Sequence, residues 1–132
     1  MIRIPKSIYT TILEHAKREK PLECCGILSG RDGTVEKAFE LRNKELSPVR
    51  YSMSPQDQLK VFEELEKEAM EMVAIYHSHP ETVAFPSESD VKMSFYPDLP
   101  CIIISLKDND HPEVKAFLIR RDGIKIEEIE VT

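Results

Sequence analysis

The sequence contains no long apolar run, no linker and no repeat. Its apolar stretches are far shorter than the roughly 20 residues that a membrane-spanning helix needs. The opening residues, Met-Ile-Arg-Ile-Pro-Lys, also lack the apolar core of a secretory signal peptide. These absences argue against a membrane or secreted protein, and we expect a cytoplasmic one.

Cysteine is scarce, with Cys24 and Cys25 adjacent and Cys101 distant from both. An odd count without regular spacing argues against a secreted disulfide scaffold, and the lack of a C-x2-C pair argues against a separate structural zinc site. Cys25 and Cys101 lie in apolar runs, where thiols usually behave as small hydrophobic groups. A cysteine nucleophile is therefore only a minor alternative.

Clustered positive charge is also missing. Asp and Glu outnumber Lys and Arg by 24 to 18, and the basic residues are interleaved with acidic ones. A surface that binds phosphates needs concentrated Lys and Arg, so we do not expect a nucleic-acid partner. With 132 residues, 41% of them hydrophobic, the chain is long enough for one domain with a real core, spanning residues 1–132.

The apolar patterns predict an α/β layered domain, a mixed sheet flanked by about three helices. Helices are expected from Lys6 to about Lys20, from Ser54-Pro55 onward and from Ser87 onward. The second helix is expected to bury an apolar stripe made of Leu59, Phe62, Leu65 and Ala69. Strands are expected at 24–28, 34–41, 72–77, 101–106, 114–119 and 124–131, with hairpin turns at 29–33 and 121–123.

The most informative stretch is His77-Ser78-His79-Pro80, followed by Ser87-Glu88-Ser89-Asp90. In an extended strand, residues two apart point to the same side, so His77 and His79 can face one ion together. Asp90 falls in the first turn of the helix opened by Ser87, where the helix dipole favours a carboxylate. Catalytic zinc takes three protein ligands and leaves a fourth position for water. The spacing therefore predicts a metal site of a hydrolase.

Simpler interpretations exist for each residue alone. His15 sits in a helical pattern and His111 in a polar turn, so neither is expected to bind a metal. Ser87 and Asp90 also fit an S-x-x-D helix start, in which the serine caps the helix. That interpretation explains the pair without any chemistry, but it does not explain two histidines just upstream at strand spacing.

The pattern H-x-H-x7-S-x2-D, from His77 to Asp90, resembles the signature of the JAMM (MPN-plus, Mov34/JAB) metalloprotease family. That family also has an upstream glutamate followed shortly by Cys-Gly, and Glu23-Cys24-Cys25-Gly26 is similar to this element. The resemblance runs through nearly the whole chain. It implies the three-layer JAMM fold, which is shared with cytidine deaminases.

The resemblance also implies a role for each matching residue. His77, His79 and Asp90 would bind one Zn²⁺ per chain. Glu23 would hold the attacking water as general base and then pass its proton to the leaving amine. Ser87 would help stabilise the oxyanion of the tetrahedral intermediate. From the residues alone, Glu23 is instead expected to be an exposed acid at the entrance of a strand.

The substrate that the resemblance implies is a peptide or isopeptide bond after the C-terminal Gly-Gly of a ubiquitin-like protein. The chain is close to the minimal domain and resembles the compact prokaryotic members linked to ubiquitin-like sulfur carriers. We therefore expect release of cysteine from a carrier's C-terminus, with cleavage of carrier–lysine conjugates a close second. The strand before His77 and the segment Arg50-Tyr51-Ser52 are expected to flank the cleft. The sequence makes no prediction of oligomeric state.

Three alternatives were weighed against this hypothesis. Zinc deaminases carry H-x-E and P-C-x-x-C; here Ser78 separates the histidines and Pro100-Cys101 has no second cysteine, which excludes deamination. A non-catalytic scaffold that binds a tail would have no reason to keep all five matching residues. An autoinhibited free form, with a thiolate such as that of Cys24 in the fourth zinc position, stays open.

Overall fold

One mixed sheet of eight strands, with three helices around it, organises the chain in the computed structural model, which describes residues 1–132. The predicted mixed sheet with about three helices is confirmed. No helix is both long enough and apolar enough to cross a membrane. In chain order the elements are β1 (Ile2–Ile4), α1 (Lys6–Glu19), β2 (Cys25–Arg31), β3 (Thr34–Leu41), α2 (Pro55–Glu68), β4 (Glu71–His79), α3 (Glu88–Lys92), β5 (Cys101–Ser105), β6 (Glu113–Arg120), β7 (Gly123–Glu127) and β8 (Ile129–Val131).

The strand order is β7-β6-β5-β4-β2-β3-β1-β8, which places β4 in the middle of the sheet. β4 pairs antiparallel with β2, so Cys25 lies beside His77, and parallel with β5, so His77 also lies beside Ile103. Strand β4 pairs with β2 up to His77 and with β5 from Ile75 to His79, so the backbone that carries the two histidines is held by neighbouring strands.

The last two strands join the two ends of the sheet. Only Glu128 separates β7 from β8, yet β7 pairs with β6 while β8 pairs with β1 at the other end of the strand order. The sheet must therefore curl. The prediction of a single strand over 124–131 was wrong in this respect, and β1 was missed because three residues carry too little periodicity to be recognised.

The hairpin between β2 and β3 is tighter than predicted. Strand β2 continues to Arg31, so the turn comprises only Asp32 and Gly33, whose φ angles are 51° and 76°. Two residues with positive φ match the right-handed twist of the flanking strands. Ser29 and Gly30, predicted as turn residues, belong to the strand.

Helix α1 covers one face of the sheet and supplies the largest part of the core. Its buried residues Ile12 and Ala16 pack in one cluster with Leu28 of β2, Tyr76 of β4 and Ile104 of β5. The predicted helix from Lys6 is confirmed.

Helix α2 lies on the opposite face and begins as predicted. Ser54 caps it, since its Oγ accepts a hydrogen bond from the Asp57 N–H at 3.0 Å, and Pro55 takes the first helical position. The predicted apolar stripe was correct only at Leu65. Val61 and Leu65 pack on Ile27, whereas the rest of the predicted set is either exposed (Leu59 at 56%, Phe62 at 38%) or, for Ala69, ends the helix in a left-handed conformation. The helix carries two overlapping stripes of apolar residues, and only its packing on the sheet selects one.

Candidate metal centre

The two histidines project from the end of β4. The strand runs through both of them to His79, two residues beyond the predicted end. Their side chains face away from α1, because the alternating residue Tyr76 packs in the core cluster on the α1 side. Both histidines are buried, with exposures of 0% for His77 and 2% for His79. The prediction that they share one side of a strand is confirmed.

Asp90 reaches the histidines from the first turn of α3. The Ser87 Oγ accepts a hydrogen bond from the Asp90 N–H at 3.1 Å, and the Asp90 Oδ2 accepts one from the Ser87 N–H at 2.9 Å. This is a capping box, so the simpler helix-start interpretation is correct as well. The cap orients the carboxylate, because the same Oδ2 atom lies 3.0 Å from His79 Nε2 and 3.1 Å from His77 Nε2.

The three side chains form a compact group of ligand atoms. The two Nε2 atoms are 3.2 Å apart, which makes the triangle with Asp90 Oδ2 nearly equilateral. Ligand bonds of about 2.0–2.1 Å in tetrahedral geometry would place ligand atoms about 3.3 Å from one another. The group of His77, His79 and Asp90 therefore has the dimensions of a face of a metal coordination tetrahedron.

The contacts of the outer ring nitrogens, Nδ1, favour one tautomer and one orientation of each imidazole ring. His79 Nδ1 lies 2.9 Å from the Val83 carbonyl oxygen, which can only accept, so Nδ1 carries a proton. When Nε2 is protonated as well, it donates to Asp90 Oδ2; when the ring is neutral, Nε2 carries the lone pair that can bind a cation between the three side chains. His77 Nδ1 faces the Cys101 thiol, with 3.6 Å between N and S. A cation would satisfy the electron-rich centre of this group.

The Asp90 carboxylate remains ionised in this setting. Burial by itself would raise the pKa of Asp90, but the hydrogen bonds from His77 and His79 outweigh it and hold that pKa below its usual range. The group thus offers a metal ion one anionic oxygen ligand and two neutral nitrogen ligands, a set that binds divalent metal ions.

Tyr51 covers the His77 ring. The two rings are stacked, with 4.4 Å between their centroids and 25° between their planes. Tyr51 comes from the loop between β3 and α2, within the segment Arg50-Tyr51-Ser52 that was expected to flank the cleft. The stacking itself was not predicted, because no spacing in the sequence connects this loop with β4.

Glu23 is buried near the metal group. The residue is only 2% exposed, and its Oε1 atom has no hydrogen-bond partner within the protein. Burial raises the pKa of Glu23 to about 8; the charge of His79 opposes this shift and that of Asp90 adds to it. The expectation of an exposed acid, drawn from the residues alone, was wrong. A buried carboxyl group with an unused oxygen is instead available for proton transfer.

Gly26 has a steric reason to be glycine. A Cβ atom at this position would come within 2.3 Å of the Tyr76 ring. The Cys-Gly step after Glu23 therefore lets β2 lie directly against the aromatic side chain that precedes His77.

The cysteines and the other histidines stay outside the centre. Cys24 packs with Tyr76 on the α1 face, so its thiol lies on the side of the sheet opposite to the His77 ring. Burial raises the pKa of both Cys24 and Cys25 to about 12, which leaves unreactive thiols at neutral pH. As expected, the remaining histidines lie elsewhere: His15 bonds to Tyr76 Oη in the core at 2.8 Å, and His111 is exposed beside Asp108.

Residues 5–120 match the Prok-JAB family, described as prokaryotic homologs of the JAB domain. The chain belongs to this family. The predicted resemblance to JAMM and MPN-plus proteins is therefore confirmed, and with it the prediction of a hydrolase that acts on peptide or isopeptide bonds.

Two curated relatives are similar over almost the whole chain. The CysO-cysteine peptidase of Mycobacterium tuberculosis H37Rv is 35% identical over 127 residues, which cover 95% of this chain and 86% of the relative. The desampylase of Pyrococcus furiosus is 34% identical over 129 residues, which cover 97% of this chain and 87% of the relative. In both cases the similarity includes the region of the metal group.

Solved structures support the fold. Protein DSY2949 from Desulfitobacterium hafniense superposes with a TM-score of 0.93 at 40% identity, covering 100% of this chain and 93% of its own. AF2198, a JAB1/MPN domain protein from Archaeoglobus fulgidus, has a TM-score of 0.65 at 24% identity and covers 99% of both chains. The predicted JAMM fold is confirmed by these likenesses.

Proposed function

We propose that this JAB-family chain uses zinc, held by His77, His79 and Asp90, to hydrolyse the bond after the C-terminal Gly-Gly of a ubiquitin-like sulfur carrier. The observation that carries the proposal is the buried Glu23 carboxyl group, with one unpartnered oxygen, near three convergent ligand atoms. A scaffold would gain nothing from such a group, because an unsatisfied buried oxygen lowers stability.

Zinc suits the donor set. Two imidazoles and one carboxylate, with a fourth position open, are typical of catalytic zinc sites. Bound there, zinc would act as a Lewis acid that lowers the pKa of a water molecule to roughly 7 and polarises the scissile carbonyl. Cys101 and the Val83 carbonyl, which contact the outer nitrogens of the two rings, would hold His77 and His79 in the orientation for binding.

Glu23 moves the proton. Its pKa of about 8 applies to the metal-free protein, and a nearby divalent cation would lower that pKa, so the carboxylate predominates at neutral pH. The unpartnered Oε1 atom can accept a proton from the attacking water and then donate it to the leaving amine. This is the role of general base followed by general acid.

Ser87 donates to the oxyanion. Its Oγ already accepts the Asp90 N–H, which uses one lone pair of the oxygen and leaves the hydroxyl hydrogen free to donate. A single positioned donor of this kind contributes on the order of 100-fold in rate. The helix cap and the catalytic role are therefore compatible in one side chain.

An extended tail without side chains fits the groove beside the centre. A cavity of about 460 Å³ lies between the β3–α2 loop and α3. A Gly-Gly segment can enter such a groove because glycine needs no room for side chains, while the folded part of a carrier remains outside. The residues that line the cavity are Glu45, Arg50, Tyr51, Ser52, Glu88, Ser89, Lys92 and Met93.

The two similar relatives differ in what their names say they cleave. The mycobacterial relative is a CysO-cysteine peptidase, which favours release of cysteine from a carrier's C-terminus. The desampylase name favours cleavage of carrier conjugates as the second candidate. Both reactions need the same carrier tail and differ only in the leaving amine.

The test uses two matched substrates, one carrier extended by a C-terminal cysteine and the same carrier joined to a lysine ε-amine. Zinc-loaded protein is expected to yield a carrier that ends in Gly-Gly, detected by mass spectrometry, faster from the cysteine adduct. Glu23→Gln should bind zinc without cleaving, whereas Glu14→Gln, at an exposed glutamate of α1, should cleave normally. Binding of the carrier without cleavage by the zinc-loaded wild type would favour the tail-binding scaffold instead.

A further inference from the structure

One buried side chain, Asn43, organises the loop between β3 and α2. It is 7% exposed and contacts five backbone groups. Its amide nitrogen donates to the carbonyl oxygens of Glu23 at 3.1 Å and Arg50 at 2.9 Å, with a longer contact of 3.5 Å to Ser47. Its amide oxygen accepts from the N–H groups of Glu45 at 2.9 Å and Ser52 at 3.2 Å.

These partners include both neighbours of Tyr51. The Arg50 carbonyl precedes the Tyr51 residue and the Ser52 N–H follows it, so Asn43 holds the backbone on either side of the ring that stacks on His77. Two hydrogen bonds from one side chain therefore bracket Tyr51, and a third bond, from the Lys44 N–H to the Ser52 carbonyl at 2.9 Å, holds the same segment.

The same amide also holds the backbone of Glu23. The Glu23 carbonyl accepts from Asn43, and the Glu23 N–H donates to the Ser47 carbonyl of the same loop at 2.9 Å. Both peptide groups of the buried acid are therefore anchored in the β3–α2 loop. Asn43 is the side chain common to the Glu23 anchor and the Tyr51 anchor.

We propose that Asn43 is a positioning residue that places Tyr51 against His77 and Glu23 near the metal ligands at the same time. Its catalytic consequence rests on the proposed function; its structural consequence does not. An asparagine is required because the loop needs one short planar group whose NH2 donates to two carbonyl oxygens and whose oxygen accepts from two N–H groups. An aspartate has the same shape but only accepts, so it would repel the carbonyls of Glu23 and Arg50.

The first test follows the His77 ring rather than activity. Stacked aromatic rings shift each other's proton resonances, so the imidazole C–H signals of His77 report the position of Tyr51. In the full chain, with and without added zinc, Asn43→Ala is expected to move these signals to where Tyr51→Leu moves them. Asn43→Asp should do the same, and it serves as the second variant if the alanine variant does not fold.

The control is Leu65→Ala. This substitution shortens a side chain that packs between α2 and the sheet and that contacts neither Tyr51 nor Glu23. This variant should lose stability and keep the wild-type His77 signals. Wild-type His77 signals in both Asn43 variants would overturn the proposal, because the ring of Tyr51 would then be placed without Asn43.

The second test separates binding from chemistry in zinc-loaded protein. A shift of about 1 Å in a reacting group costs on the order of 100-fold in rate, so kcat of Asn43→Ala should fall by about that factor while one zinc per chain is retained. Unchanged kcat together with shifted His77 signals would overturn the catalytic part. Failure of the proposed function would instead appear as a wild type that cleaves neither substrate, with the His77 result unaffected.

Discussion

Ser78 and Cys24 exchange two hydrogen bonds across the sheet. The Cys24 N–H donates to Ser78 Oγ at 2.8 Å, and the Ser78 N–H donates to the Cys24 carbonyl at 3.1 Å. Ser78 lies between His77 and His79, the two histidines of the proposed metal site, and Cys24 directly follows the buried Glu23. The residue between the ligands thus fixes the distance from the ligand strand to the acid.

Replacing Ser78 by alanine should lower both stability and turnover. The Cys24 N–H would be left buried without an acceptor, which costs about 1–3 kcal/mol in the free energy of unfolding. The Glu23 segment would also lose its link to β4, so kcat should fall. Urea unfolding and steady-state kinetics measure the two effects. Ser29→Ala is the control, because Ser29 is a buried serine of β2 with one long hydrogen bond of 3.5 Å; an equal loss of kcat there would contradict the link.

The Cys101 thiol should tune metal affinity. It contacts His77 Nδ1 in the place usually taken by a carboxylate or carbonyl oxygen. Cys101→Val removes this partner, and loss of such a contact typically weakens metal binding by about 10–100-fold. Competition with a chromophoric chelator measures the change. Cys101→Ser should recover most of the affinity, and Cys24→Ala, which removes a buried thiol that packs in the core on the α1 face, should leave it unchanged.

Glu23 should make the metal-free protein less stable as pH rises from about 4.5 to about 8. The pKa of this carboxyl is raised from 4.5 to about 8 in the folded chain. The native state therefore binds more protons than the unfolded state in this window, and the free energy of unfolding falls with pH. Since one pKa unit corresponds to about 1.4 kcal/mol, a rise from 4.5 to about 8 corresponds to at most about 5 kcal/mol.

The measurement is urea unfolding of chelator-treated protein near both ends of that window. Glu23→Gln cannot ionise, so its stability should fall less with pH than that of the wild type. Glu14→Gln should follow the wild type. The assignment of a raised pKa to Glu23 is wrong if the wild type and Glu23→Gln show the same pH dependence.

Metal removal should lower the melting temperature of the wild type, and this loss should disappear when one of the three proposed ligands is replaced. A ligand that binds only the folded chain stabilises it by about 4 kcal/mol when present at 1,000 times its Kd. Wild-type protein should therefore melt at a higher temperature with zinc than with a chelator, and contain about one zinc per chain by elemental mass spectrometry. His77→Ala should show neither effect, whereas His111→Ala, at an exposed histidine, should show both.

The local patterns predicted the metal group well. His77 and His79 share a face because they lie two residues apart in a strand, and Asp90 reaches them because Ser87 caps a helix. Both relationships depend on short segments with strong conformational preferences, so they can be recognised without the fold. The role of Glu23 needed the resemblance to a family, since a single glutamate before a strand has no distinctive spacing.

Other features depend on the packing of distant segments. The buried face of α2 differs from the predicted one because Val61 and Leu65 meet Ile27, and a helix with two apolar stripes does not select between them alone. The division of residues 124–131 into two strands depends on the position of β1 at the far end of the sheet. Neither outcome has a local cause in the sequence.

The sequence by itself determined the convergence of His77, His79 and Asp90, the starts of the three helices and the strands from β2 to β6, because each depends on residues close together in the chain. Only the tertiary structure decided that Tyr51 covers His77, that Cys101 contacts its outer nitrogen and that Asn43 holds both Tyr51 and Glu23. The contacts of Tyr51 and Cys101 with His77, and of Asn43 with Glu23, join residues 20 or more positions apart in sequence. Their free energies appear only when the sheet has brought those residues together, so no local pattern records them.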